Sequence, residues 1–227
     1  MREIVFDTET TGLDHASGDR IVEIGCIEMI HRVPTGHAIH FYFCPDRDMP
    51  AGAEAVHGLS EAFPADKPRF HEKAAELLEF LGDCPLVAHN AAFDFGFLNA
   101  ELRIAGLEPV DTARMVDTVA IARKRHPGAK HSLDALCSRY GIDRSHRVKH
   151  GALLDAELLA QVYIELTGGR QIGLGLESAG TATLIEVVSV ARAPRPRREP
   201  RPHMASEEEL ACHRAFMETV KSPIWAT

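Results

Sequence analysis

No stretch of this sequence is both long and apolar enough to span a membrane. The chain opens directly into a strand-like run, with no secretory leader pattern before it. Cysteine is sparse and scattered: Cys26, Cys44, Cys84, Cys137 and Cys212 show no paired spacing. That suggests neither a zinc site nor a disulfide framework, and a reducing cytosol fits best. Positive charge is in deficit. A formal net charge of -8 argues against simple electrostatic coating of nucleic acid. It does not exclude an enzyme acting on nucleic acid, because an acidic catalytic pocket contributes negative charge of its own. What the chain does have is apolar content of 45% over 227 residues, enough for one good-sized domain and an appendage.

The first dozen residues organise the rest. Ile4, Val5 and Phe6 form a short β-favouring run bounded by Thr10, Thr11 and Gly12, which predicts a buried strand entering a turn. Side chains alternate along a strand, so Asp7 and Glu9 point to the same face, roughly 7 Å apart. Two carboxylates placed side by side at a core strand's end repel each other and lose water unless a cation, most simply a divalent metal, sits between them. A solvated acidic strand end reads equally well from these residues alone.

Along the chain, Arg20 to Ile30 and His37 to Cys44 are the next strand candidates, with Val33-Pro34-Thr35-Gly36 as the turn between them. Three strands with short connections predict an antiparallel meander. Pro45 to Pro68 reads as irregular. Phe70 to Leu81 has helical spacing, with Ala74, Leu77, Leu78 and Leu81 on one stripe. Pro85 to Ala88 and Met115 to Thr118 are short strand candidates. Helices are expected over about 92–105, 119–124, 132–140 (with Ser132 as N-cap) and 151–166. Strands first, then strands alternating with helices, give an α/β domain ending near Thr167.

Two of those helices carry an anomaly. Asp94 is followed at helical spacing by Phe97, Leu98 and Leu102, and Asp155 by Leu158, Leu159 and Val162. Helix geometry therefore puts both aspartates on the apolar stripe, facing the core. Placement in the first turn, where the helix favours an anion, is the structural alternative. It accounts less well for both joining the stripe. Four carboxylates converging on one interior point need cations, and two metal ions suit them. His150, five residues before Asp155, reads either as an exposed loop histidine or, beside a metal, as a general base for water.

Asp7-Thr-Glu-Thr-Thr-Gly12, His89-Asn-Ala-Ala-Phe-Asp94 and His150-Gly-Ala-Leu-Leu-Asp155 resemble, in order and separation, the three motifs of the DEDD exonucleases in their histidine-bearing subclass. Val56-His-Gly-Leu59, Asp117-Thr-Val-Ala-Ile-Ala-Arg-Lys124 and Ser132-Leu-Asp-Ala-Leu-Cys137 add similarity to the epsilon proofreading subunits of bacterial DNA polymerase III. The likeness covers roughly Met1 to Thr167. It implies a ribonuclease-H-like fold, a mixed five-stranded sheet flanked by helices, and removal of nucleotides from a DNA 3′ end in the bacterial cytoplasm. It also implies two divalent ions, Mg²⁺ or Mn²⁺. Carried over by motif, Asp7 would bridge the ions, Glu9 and Asp155 would support the one beside the attacking water, Asp94 would act at the other, and His150 would take the water's proton. Thr8 and Thr10 would contact the terminal nucleotide through backbone groups, together with Asp7, Glu9 and Asp155. His57 falls in a segment that resembles the family's sugar-binding loop, where an exposed-loop histidine is the alternative. Lys124, Lys130, Arg144, Arg147 and Lys149 are candidates for holding phosphates or for a solvated charged face.

The resemblance divides the chain into an exonuclease domain over 1–168, a linker over 169–205 and a polymerase-binding segment over 206–227. In the linker, Gln171, Leu174 and Leu176 match the sliding-clamp-binding pattern of bacterial replication proteins; a Gly-rich spacer is the alternative. Ala191 to Pro202 is rich in Arg and Pro and is expected to be disordered. Ser206 and Glu209 form a capping-box pattern opening a helix with Leu210, Met217 and Val220 on one stripe, Phe216 at its border, and Ile224 and Trp225 beyond. The implied partner of that stripe is the polymerase catalytic (alpha) subunit. An RNA-trimming relative such as ribonuclease T or oligoribonuclease is the enzymatic rival, disfavoured by the tail after Thr167. A clamp–polymerase scaffold without catalysis is disfavoured because all five motif residues are present.

Overall fold

The computed structural model describes residues 1–60, 62–145, 149–169 and 204–220. Its contacts separate the chain into two units, Met1–Leu176 and Glu177–Thr227. In the first unit, β1 (Arg2–Thr10), β2 (Ile21–Ile30) and β3 (Val33–Tyr42) form the antiparallel meander, and β4 (Leu86–Ala88) and β5 (Met115–Asp117) add in parallel to β1's other side. The sheet order is β3-β2-β1-β4-β5, the mixed five-stranded arrangement expected.

The hairpin turn is not where turn chemistry suggested. His31 and Arg32 both take positive φ (52° and 63°), and Ile30 pairs with Val33, so the loop is two residues long. Val33 to Gly36, expected as the turn, belongs to β3. Pro34 is tolerated there because β3 is an edge strand and its missing N–H breaks no inner ladder.

Both faces of β1 are covered, which explains its unbroken Ile-Val-Phe run. On one face Ile4 and Phe6 pack with residues of helix α2 (Phe70–Leu81) and helix α3 (Ala91–Ile104), among them Leu77, Leu81, Phe95, Leu98 and Leu102. On the other, Val5, Met29 and Val87 pack with Leu136 of α5 (Leu133–Tyr140) and Leu158, Leu159 and Val162 of α6 (Ala152–Leu166). Between α3 and α5 lies α4 (Thr118–Arg125). The α2 stripe holds for Ala74, Leu77 and Leu81, while Leu78 is only partly buried. Ser132 Oγ accepts from Ala135 N, the cap expected for α5.

Pro45 to Pro68 is less irregular than its composition suggests. It contains the two-turn helix α1 (Ala51–His57), closed by Gly58 in the left-handed region at φ 78°, and a single 3₁₀ turn at Pro64–Asp66. Ala-Gly-Ala-Glu-Ala-Val-His carries no apolar stripe, so periodicity had nothing to register. A partly buried ion pair ties α3 to the start of β2. Arg20 Nε and Nη2 donate to Glu101 Oε1 and Oε2, each at 2.7 Å, and Ile21 N donates to the same carboxylate at 3.2 Å.

In the second unit, α7 (Glu207–Thr219) begins at Ser206, whose Oγ accepts from Glu209 N at 3.2 Å while Glu209 Oε2 accepts from Ser206 N at 2.8 Å. This is the reciprocal cap expected. Leu210 and Phe216 of its stripe are exposed, and Met217 and Val220 half-buried. Gln171, Leu174, Leu176, Ile224 and Trp225 lie outside the described residues.

Candidate active site

β1 delivers its acids by alternation. Asp7 and Glu9 point to the α6 face, as Val5 does, while Thr8 points to the α3 face. Glu9 is buried at 8% exposure and Asp7 half-buried. Asp155 stands in the first turn of α6 and is 3% exposed, and Asp94 in the first turn of α3 is 2% exposed. Both aspartates face inward, as the helical spacing required.

One ligand atom from each of Glu9, His150 and Asp155 lies within 4.8 Å of the others. His150 Nδ1 sits 3.1 Å from Asp155 Oδ2. If Nδ1 donates there, the tautomer leaves Nε2 as the proton-accepting atom. The loop carrying His150 is docked on α1: His150 N donates to Val56 O at 3.4 Å, and the Lys149 side chain lies against Gly58. Asp7 and Asp94 fall outside that tight group.

Asp94 is held from the other side of β1. Thr8 Oγ1 donates to Asp94 Oδ1 at 2.7 Å. Burial pushes the Asp94 carboxyl up to about 7, against the lowering effect of the Thr8 hydroxyl. Around it, Asp117 at the end of β5 accepts from Asn90 N (3.1 Å), Ala91 N (3.4 Å) and Val119 N (3.0 Å), joining the starts of α3 and α4. His89 Nδ1 lies 2.9 Å from Thr118 Oγ1, and burial lowers the pKa of this ring. Neither the Thr8 hydroxyl's role nor this network follows from sequence reasoning. An Asp or Thr immediately before a helix is the one signal that bears on Asp117, as an N-cap.

His57 departs from the exposed-loop alternative. It is the last residue of α1 and is 5% exposed. Its Nδ1 accepts from Leu59 N at 3.0 Å, so Nε2 carries the hydrogen, and that buried donor has no hydrogen-bond partner among the described residues. Burial lowers its pKa, which keeps the ring neutral. Thr10 Oγ1 donates to Gly12 O at 2.6 Å, so both Thr8 and Thr10 turn their hydroxyls to the protein. Of the phosphate-holding candidates, Arg144 pairs with Asp134 at 2.8 Å. Arg147 lies outside the described residues.

The chain's relationships accord with this geometry. The exonuclease family's sequence profile matches residues 4–163. A DNA polymerase III subunit epsilon from Rickettsia felis is 53% identical over 174 residues, covering 75% of this chain and 76% of its own. The DNA polymerase III subunit epsilon of Escherichia coli K12 is 41% identical over 233 aligned positions, covering 97% of this chain and 93% of its own. Among solved structures, exonuclease X in complex with 5′-overhanging duplex DNA superposes with a TM-score of 0.59 at 28% identity, over 73% of this chain and 90% of that one. A zinc-bound E. coli exonuclease I complex with single-stranded DNA shares the fold, at TM-score 0.63 and 18% identity, over 74% of this chain and 41% of that one. The chain belongs to the exonuclease family and, within it, to the DNA polymerase III epsilon subunits.

Proposed function

We propose that this chain is the proofreading subunit of a replicative DNA polymerase, and that it hydrolyses the last phosphodiester at a DNA 3′ end to release a nucleoside 5′-monophosphate. The observation that carries the reading is the gathering of Glu9, His150 and Asp155 within 4.8 Å at the end of β1. The donor set suits a hard divalent cation: carboxylate oxygens and an imidazole, two of the three buried, beside a further buried carboxyl, Asp94, whose ionisation burial opposes. Asp7, Glu9, Asp94 and Asp155 would hold two ions, Mg²⁺ or Mn²⁺. When bound, such ions supply charge neutralisation at the phosphate and Lewis-acid assistance to the water and the leaving 3′ oxygen.

The remaining chemistry falls to this chain's own groups. His150 Nε2 takes the proton of the attacking water, with Asp155 on Nδ1 stabilising the imidazolium that results. The His57 Nε2–H, buried without a partner among the described residues, donates to the terminal sugar. Backbone groups at Thr8 and Thr10 line the terminal nucleotide. Mismatched ends are preferred because their unpairing cost is already small, so no base need be read. The 206–227 segment binds the polymerase alpha subunit, and Gln171, Leu174 and Leu176 bind the sliding clamp.

The test is digestion of a 3′-mismatched DNA beside an RNA of matched sequence, each with Mg²⁺. Release of deoxynucleoside 5′-monophosphates from the mismatched end supports the reading. Faster degradation of the RNA would replace it with an RNA-trimming one.

A further inference from the structure

Gly25 sits in the middle of β2, between two strands, where a glycine weakens the ladder and offers no side chain to pack. Its backbone does not explain it. Gly25 is not among the residues at positive φ. It pairs regularly on both sides, with Asp7 on β1 and His40 on β3, and the register shifts fall elsewhere, at Glu9/Thr10 and Ile27/Met29.

The explanation lies above the sheet. A Cβ at Gly25 would stand 2.6 Å from the carbonyl carbon of Ala152, and nearer still to the backbone nitrogen and Cα of Leu153. Those atoms are the first turn of α6. No rotamer can relieve such a contact, because the three nearest atoms are all main chain. Restoring an ordinary carbon–carbon separation requires the turn to move by roughly 1 Å. Directly opposed residues in an antiparallel pair project to the same face, so Asp7 and the vacant position at Gly25 both lie under that turn. Asp155 is two residues beyond Leu153, and His150 two before Ala152.

The geometry points to Gly25 as a positioning residue of the active site: its missing side chain lets the first turn of α6 rest directly on the sheet, and so brings Asp155 and His150 to Glu9. The inference rests on the reading of these residues as the catalytic group. Gly25 touches no substrate; it acts through the placement of α6.

Three full-length variants test it: Gly25→Ala; Leu159→Ala, which loosens the same helix further along without pressing on its first turn; and Asp155→Asn. Mn²⁺ affinity is measured by calorimetry, kcat and KM on a single-stranded oligonucleotide, and folding by circular dichroism. Gly25→Ala is expected to stay folded, weaken Mn²⁺ at least about tenfold, lower kcat on the order of 10²-fold and leave KM within about threefold. Leu159→Ala melts lower but keeps Mn²⁺ affinity and kcat within about threefold. Wild-type Mn²⁺ affinity and kcat in folded Gly25→Ala, or losses in both variants that simply follow their melting temperatures, overturn the positioning role. Should Gly25→Ala fail to fold, Ala152→Val presses the same turn outward through a buried side chain that can adapt. It should show the same signature at smaller amplitude, and wild-type values there overturn the role equally. Asp155→Asn separates the two readings: if it retains Mn²⁺ binding and hydrolysis, the site assignment itself fails, whatever Gly25→Ala does.

Discussion

Thr8 and Asp94 join β1 to α3 through one buried hydrogen bond, the hydroxyl donating to Oδ1 across 2.7 Å. The bond spans 86 residues of sequence and fixes the α3 aspartate against β1 at Thr8, the residue between Asp7 and Glu9. A neutral donor of this kind orients the carboxyl without supplying the charge that would ionise it.

The state of Asp94 in the metal-free protein can be read from stability. Its pKa in the fold, about 7, is raised above the ordinary carboxylate value by burial. The stabilisation it contributes is therefore fully present below about pH 4 and is lost as pH rises through about 7. In EDTA, the melting temperature of wild type relative to Asp94→Asn should fall between about pH 5 and 8, since the amide keeps an acceptor for Thr8 but cannot titrate. Parallel pH profiles for the two proteins would show that Asp94 ionises normally inside the fold.

The contrast between what the sequence disclosed and what it hid is itself physical. Short-period signals were legible: the Ile-Val-Phe run of β1, the α2 stripe, the caps at Ser132 and Ser206, and the inward aspartates of α3 and α6. Each depends on neighbours within a turn or two. The hairpin's true position is hidden because His31 and Arg32 are not residues that advertise positive φ, whereas Pro34 and Gly36 advertise a turn they do not make. Helix α1 escaped because it has no apolar face, and with it the burial of His57. The Thr8–Asp94 bond, the Asp117 junction and the approach of α6 to Gly25 all join distant segments, and no local pattern encodes them.

His150 should behave as a base rather than as a ligand. His150→Ala is expected to cut turnover by about 10²–10⁴-fold and to flatten the dependence of the rate on pH. Mn²⁺ affinity should change little. Because His150 also lies within 4.8 Å of Glu9 and Asp155, the opposite outcome has a clear meaning: lost metal affinity with an intact pH profile makes it a ligand.

Replacing Gln171, Leu174 and Leu176 together with alanine should weaken binding to a sliding clamp by calorimetry or gel filtration, while digestion of free DNA is unchanged. Equal clamp binding by both proteins would return this stretch to linker status.

The exposed Leu210 and Phe216 on α7 lead to a further expectation. An isolated helix of this length is marginal in water, so its stripe calls for a partner, and tethering would keep the exonuclease at high local concentration near the primer end. Deleting 205–227 should leave activity on free DNA unchanged and abolish co-purification with the polymerase. Undiminished polymerase binding, or a clearly lower melting temperature of the truncated chain alone, would contradict the tether.

The most direct test of the central claim is hydrolysis of a 3′-mismatched DNA by Asp7→Ala and Glu9→Ala, compared with wild type in Mg²⁺ and in excess EDTA. Circular dichroism should show both variants folded, so that lost hydrolysis reports on the site. The account predicts that hydrolysis is abolished in both, and abolished in wild type by EDTA. Wild-type rates surviving in either variant, or persisting in EDTA, would contradict it.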